Sequence, residues 1–316
     1  MKFRAKSFSM IAKLSANLPA FRGRTRIFLI LFDLLGLAKE HLFVETRLRK
    51  PLPYGARLDL HSWLQRIAYL TGGYEEDTVT FLLRLFKSYS PKGYFLDVGA
   101  NVGLISIPLA LLLLQEEGKC PRVVSIEAVP DNYQALKTNI LLNGLDGELL
   151  AMCAALGDSC KSADIQVEGD LNAGEGSGTA NILPDNSDYD CVRQKLEMQT
   201  LDDLRSLGKL PVRCSVIKID TDGYDLKILQ GATQILKMDR PIIFGEFSAH
   251  CMNWHGQALD DVIDLASAHN YLVWQKIPES WAFSRAVNAE TYVQDLLLLP
   301  AEREHDFLWC LTGTGS

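Results

Sequence analysis

The 316-residue sequence has no Cys-x-x-Cys pair, no internal repeat and no apolar run long enough to cross a bilayer. Seven cysteines (Cys120, Cys153, Cys160, Cys191, Cys214, Cys251 and Cys310) are scattered singly. Such spacing indicates neither a disulfide framework nor a zinc ribbon, and it suits a reducing, cytoplasmic compartment. The apolar run Ile27 to Ala38 (IFLILFDLLGLA) has 12 residues and is interrupted by Asp33, whereas a spanning helix needs about 20. An excess of positive charge is missing from the body, where residues 51–316 hold 21 Lys/Arg against 36 Asp/Glu. That balance argues against a basic groove for nucleic acid, whose affinity rests mostly on neutralising phosphates. What remains, 47% hydrophobic and 22% charged residues, is globular composition with room for about two units of roughly 150 residues.

Charge is concentrated at the start. Residues 1–50 carry 11 Lys/Arg against 3 Asp/Glu, and the first 26 carry seven basic side chains and no acid. A basic helical extension over residues 1–41 is expected. Three roles fit it: a helix capping the main domain, a helix lying on a membrane surface, or a secretory signal. The signal fits worst, because the apolar run comes late and no small-residue cleavage pattern follows. The cap is the preferred reading, and peripheral contact with the inner membrane surface is the alternative.

Residues 42–90 form a second unit. In LFVETRLRKPLPYGARLDLH (42–61), alternating apolar and polar positions flank a Pro-Tyr-Gly turn, as a two-stranded element requires. Glu75 to Tyr89 then places Val79, Leu82, Leu83 and Phe86 at helical spacing, with acids in the first turn and Lys87 in the last. From residue 91 onward strands and helices alternate. Strands are expected at 94–98, 122–127, 148–154, 215–220, 241–246, 271–276 and 293–299. Helices are expected at 104–115, 131–143, about 223–237 and 257–269, with Asp131 and Gln134 spaced as a capping box. This alternation predicts a doubly wound, mostly parallel α/β sheet. Glu168 to Asp190, rich in Gly, Asn, Asp and Ser, reads as a loop or hairpin.

The sharpest local signal is Asp97-Val98-Gly99-Ala100-Asn101-Val102-Gly103, at a strand-to-helix turn. Ligands of open α/β sheets bind outside the carboxyl ends of strands, where glycine lets them approach the backbone. The dinucleotide pattern GxGxxG fails, since Asn101 and Leu104 stand where its second and third glycines belong. Asp97 would repel a pyrophosphate and welcome an ammonium or sulfonium. S-adenosylmethionine carries both cations and no phosphate, and Glu127, ending the next strand, could accept its ribose hydroxyls. The bland alternative is that Asp97 and Glu127 cap helices and the glycines only make a turn.

Here the sequence resembles the FkbM-type methyltransferases. The resemblance rests on Gly73-Tyr74-Glu75, FLDVGANVG (95–103), SIEAVPDN (125–132), Ala155-Leu156-Gly157-Asp158, Thr200-Leu201-Asp202-Asp203-Leu204 and KIDTDGYDLKILQGA (218–232), in family order. It implies a class I methyltransferase fold for residues 91–316, with seven strands and the last antiparallel, and S-adenosylmethionine as cofactor. Carried over by position, it implies that Asp97, Gly99, Asn101 and Gly103 line the methionine side. Glu127 would hold the ribose, Ala155 and Asp158 would lie near the adenine, and Glu75 would complete the cofactor set. The family usually has glutamate at Asp222, and often at Asp225, so both acids are a methylene shorter here.

A hydroxyl acceptor needs a base near the cofactor's methyl group. Asp220 and Glu246, at the ends of adjacent expected strands, and His250 are the candidates. His250, Cys251 and His255 match no recognised zinc spacing, so no metal is expected. A hard cation on Asp220, Asp222 and Glu246 is the alternative. Trp254 and Trp281 suit an acceptor wall. The resemblance implies O-methylation of a small-molecule or glycan hydroxyl. The rivals are an N-methyltransferase, whose usual Asn/Asp-Pro-Pro-Tyr/Phe signature is absent, and a binding protein that has kept the fold alone.

Overall fold

Short apolar strands alternating with helices build one large mixed sheet covered on both faces. The computed structural model describes residues 8, 10, 24–35, 41–89, 93–117, 123–168, 181–182, 192–285, 287 and 293–311. α1 (Arg24–Leu34) precedes a hairpin of β1 (Phe43–Leu48) and β2 (Tyr54–Asp59), followed by α2 (Trp63–Thr71) and α3 (Glu76–Ser88). The alternating unit then runs β3 (Tyr94–Val98), α4 (Ser106–Glu117), β4 (Val123–Glu127), α5 (Pro130–Leu142) and β5 (Leu149–Cys153). A smaller four-stranded patch follows: β6 (Ala155–Leu156), β7 (Ser162–Glu168), β8 (Asn181–Ile182) and β9 (Val192–Gln199). After α6 (Leu201–Ser206) come β10 (Cys214–Ile219), α7 (Asp225–Gln230), α8 (Thr233–Met238), β11 (Ile242–Ser248) and α9 (Ala249–Trp254). The described chain closes with α10 (Leu259–Ala268), β12 (Tyr271–Lys276), β13 (Phe283–Ser284), β14 (Val293–Pro300) and a 3-10 turn at Ala301–Phe307.

Strand order in the large sheet is β13-β12-β14-β11-β10-β3-β4-β5. β5, β4, β3, β10 and β11 are parallel, and β14 runs antiparallel between β11 and β12. The expected seven-stranded sheet with an antiparallel last strand is therefore present. An eighth strand, β13, adds two residues at the edge; a segment that short carries no periodicity to read. β3, β4 and β10 are buried at every residue, which explains their unbroken apolar runs.

Two hydrophobic clusters cover the faces. One collects α1 to α5 around residues such as Phe32, Phe86, Ile107 and Leu136, and the other collects α6 to α10 around Leu201, Leu229, Ile235 and Val262. The β1–β2 hairpin joins the first cluster through amide side chains of α5 and of its C-cap residue, Asn143. Asn143 Oδ1 accepts from Gly55 N at 2.8 Å, and Asn139 Oδ1 accepts from Arg57 N at 2.6 Å. The buried Asn139 also donates to Val102 O at 2.9 Å, tying the hairpin to the loop after β3.

Two local expectations are corrected. The helix beginning near Asp131 starts one residue earlier, with Pro130 in its first turn and Val129 as N-cap, and no side chain of its own caps it. Proline suits this position because its missing N–H leaves nothing unsatisfied. The single helix expected over about 223–237 is two, α7 and α8. Asp202 of α6 breaks it: its N–H donates to Gly231 O at 3.1 Å, and its carboxylate accepts from Gln234 N at 2.7 Å and Ile235 N at 3.0 Å. The loop expected at 168–190 falls mostly outside the described residues; β7 and β9, which flank it, pair antiparallel.

Candidate active site

Chain order turns at β3. From there the sequence passes to β4 and β5 on one side and later to β10 and β11 on the other, so a crevice opens beyond the carboxyl ends of β3 and β10. A cavity of about 270 Å³ lies there. The loop after β3 forms one wall. Gly99 has φ +78°, and a Cβ on it would stand 1.9 Å from Asp220 O, so only glycine lets this loop lie against the end of β10. Gly103, at φ +87°, faces Leu136 and Ile107 side chains at 2.7 and 2.8 Å from its virtual Cβ, and packs the helix that follows.

Glu127 ends β4 inside this cavity and is 6% exposed. Its carboxylate accepts from Asn101 N at 2.8 Å, Val129 N at 3.0 Å and Asn132 Nδ2 at 3.4 Å. Burial raises its pKa, and these donors oppose the rise. The contacts fix the carboxylate between two loops and leave lone pairs for a ligand's hydroxyl groups.

Asp97 takes a different position. It is fully buried, does not line the cavity, and lies 3.5 Å from Lys218 Nζ, which also reaches Asp220 Oδ2 at 3.2 Å. Burial raises the Asp97 pKa and Lys218 opposes this. For Lys218 itself, burial favours the neutral form, but Asp220, Asp97 and Glu75 outweigh it and hold the ammonium protonated. Lys218 lines the cavity where sequence reasoning set Asp97. The signal was available: residues two apart on a strand share a face, and Lys218 precedes Asp220 by two.

Acids gather on the opposite wall. Asp220, Asp222, Glu246 and Glu75 all line the cavity, with Tyr74 beside them. Desolvation, with Asp220 and Asp225 nearby, raises Asp222 to about 7. Glu246 is reached by solvent at the opening, yet the walls strip part of its hydration, and Asp220, Asp295, Glu75 and Asp222 add repulsion, so its carboxyl is pushed up to about 8. Asp225 does not line the cavity. It accepts from Thr221 N at 2.8 Å, Thr221 Oγ1 at 2.7 Å and Gly223 N at 3.1 Å, and so shapes the loop that presents Asp222.

Three non-glycine residues of this cavity, Glu75, Asn101 and Asp222, have left-handed backbone at φ 42°, 49° and 52°. Strain of this kind persists where the surroundings over-determine it, as at ligand sites. Glu75 also lines two neighbouring recesses, one of about 590 Å³ bordered by Trp281 and one of about 260 Å³ shared with Asp220 and Glu246. Trp281 carries Lys276 Nζ over its ring at 4.2 Å and packs against Phe81 at 4.7 Å.

Other expected residues lie elsewhere. Ala155 is buried beneath the cavity, whose rim there is Ala154 and Leu156. Asp158 lies outside it, paired with Lys161 at 3.1 Å, and its pKa is lowered because Lys161 and Ser159 outweigh desolvation. His250 is exposed on α9 with its ring 5.0 Å from that of Trp254, and neither lines the cavity. His255 packs edge-on against Tyr224, a cavity residue, at 5.0 Å. Among the described residues no three His, Cys, Asp or Glu side chains converge as metal ligands. Trp63, Asn132 and Tyr224 also line the cavity; Asn132 and Tyr224 fall within the stretches that carry the resemblance, whereas nothing in its local sequence marks Trp63.

S-adenosylmethionine fits the residues present: a buried acceptor carboxylate at the end of β4, a close-approach glycine after β3 and an acidic wall for cationic groups. Comparison with known proteins supplies independent findings. The family described as "Methyltransferase FkbM domain" matches residues 97–273. No curated protein matches the chain. A solved structure of methyltransferase FkbM from Methylobacillus flagellatus KT is similar at 16% identity and TM-score 0.39, over 74% of this chain and 54% of that one. TrmK of M. capricolum, in complex with S-adenosylhomocysteine, is similar at 11% identity and TM-score 0.34, over 71% and 67%. The tRNA (uracil-54, C5)-methyltransferase of Pyrococcus abyssi, also with S-adenosylhomocysteine, is similar at 13% identity and TM-score 0.37, over 81% and 43%. The chain thus spans about half the length of the first of these structures.

Proposed function

The chain belongs to the FkbM methyltransferase family, whose cofactor is S-adenosylmethionine, and from that premise we propose that it methylates a hydroxyl oxygen of a sugar, glycan or related metabolite. The observation that carries the oxygen assignment is Glu246, a solvent-reached carboxylate in the cavity wall with its pKa raised to about 8. A neutral amine attacks carbon without help, whereas a hydroxyl must lose its proton as it attacks, and a base with pKa near the working pH serves best.

Bound in the cavity, S-adenosylmethionine supplies an electrophilic methyl group on sulfur. The chain's own residues do the rest. Glu127 would accept the cofactor's ribose hydroxyls, and Asn101 and Gly99 would form the wall for its methionine portion. Lys218, held by Asp97, fixes Asp220 in the cavity wall. Glu246 takes the acceptor's hydroxyl proton, with Asp220 and Asp222 as its neighbours. His250, outside the cavity, is left without a part in proton transfer. Positioning of this kind reaches effective molarities of roughly 10⁵–10⁸ M in well-oriented reactions.

The test uses methyl-labelled S-adenosylmethionine and a panel of hydroxylated sugars, matched amino sugars and phenols. Label recovered as an O-methyl ether supports the reading. Label recovered on nitrogen replaces it with the N-methyltransferase reading, and label on no member while the cofactor binds replaces it with a binding role.

A further inference from the structure

α1 is apolar on both faces. Phe28 and Phe32 turn inward, where Phe32 meets Phe8 edge-on at 5.0 Å and carries the Arg66 guanidinium over its ring at 4.1 Å. Ile27, Ile30 and Leu34 recur at helical spacing on the opposite side and are 54%, 51% and 79% exposed. Arg24, Arg26 and Asp33 keep the helix from being apolar all round, yet aliphatic groups gathered on one exposed face mark a surface for contact with protein or lipid. It has 11 residues and cannot span a bilayer. Charge complements the exposed stripe: the first 26 residues hold seven Lys/Arg and no acid, in a chain whose net charge is −7.

We propose that α1 docks the protein on an anionic lipid surface, with Ile27, Ile30 and Leu34 inserted at the headgroup boundary and the preceding basic residues on lipid phosphates. Both signals are needed, since neither three aliphatic side chains nor a basic segment alone gives stable attachment. A second copy of the chain is a poorer occupant. Three aliphatic side chains fall far short of the roughly 800 Å² that each partner buries in a stable complex. α1 packs on α2, whose first residue, Trp63, lines the cavity.

The experiment is sedimentation of the full chain with vesicles of phosphatidylcholine alone, or with about one third phosphatidylglycerol. The expected result is binding to the anionic vesicles at least about tenfold tighter than to the neutral ones, weakening as salt is raised. The variant Ile27→Ser/Ile30→Ser/Leu34→Ser should lose at least about tenfold in binding, because exposed aliphatic groups no longer leave water. Its thermal melt should stay close to wild type, since all three side chains are more than half exposed. Arg22→Gln/Arg24→Gln/Arg26→Gln should lose the preference for anionic lipid. Wild type that stays in the supernatant, or an apolar-stripe variant that sediments like wild type, overturns the proposal. So does a dimer in light scattering that the stripe variant converts to monomer.

Discussion

The consequential pairing at residue scale is Asp97 with Lys218. Both are buried, so removing one charge takes a partner from the other. Asp97→Asn is expected to destabilise folding toward the low end of about 3–5 kcal/mol, because Asp220 remains as a second partner, and urea denaturation measures it. Glu246 supplies a second prediction. If it is the base, kcat/KM rises with pH until its carboxyl, near 8, is ionised. Glu246→Gln should remove that limb and lower kcat by about 10²–10⁴-fold; a profile unchanged by the substitution assigns the base elsewhere. Asp97, Glu127, Asp220 and Glu246 were legible because each ends or nearly ends an apolar strand. Which of them faces the ligand was not. That depends on Lys218 bridging Asp97 and Asp220, a contact between neighbouring strands that neither strand's own sequence encodes.

Elements were legible where hydrophobic period and length agreed, and obscure where one element is finished by another. β3, β4, β10 and β14 are short apolar runs with clear ends, whereas α7 and α8 read as one helix because the cap that divides them, Asp202, comes from α6. β7 and β9 carry mixed polar sequence and pair only across an intervening segment. α6 itself has a reciprocal cap: Thr200 Oγ1 accepts from Asp203 N at 2.9 Å, and Asp203 Oδ2 accepts from Thr200 N at 3.3 Å. Thr200→Ala should therefore cost about 1 kcal/mol in urea denaturation and leave cofactor affinity unchanged, as α6 lies outside the cavity. A loss of cofactor binding in that variant would mean that α6 and α8 hold the β10 loop more directly than their contacts indicate.

Across the whole molecule the titrating acids fall into two groups that set where it is most stable. Asp225, Asp222 and Glu246 have folded values raised to about 6, 7 and 8, so the native state holds their protons longer than the unfolded chain does. Stability should fall as pH rises from their ordinary values near 4 through these raised ones. Asp158, Asp203 and Glu302 are lowered, so their contributions are lost only as pH falls below the ordinary carboxylate range. The melting temperature should peak in mildly acid solution, at about pH 5, and decline towards pH 8; Glu246→Gln should flatten the alkaline side of that curve. These acids converge because the sheet brings the ends of β10 and β11 beside the cofactor cavity, so the arrangement that disfavours alkaline stability is also the proposed proton acceptor. The most direct measurement is calorimetric titration of S-adenosylmethionine into wild type and Glu127→Ala. One-site binding to wild type, weakened at least about tenfold by loss of the ribose acceptor, is the predicted result. No binding to wild type, or equal affinity in the two proteins, would contradict the assignment of this cavity.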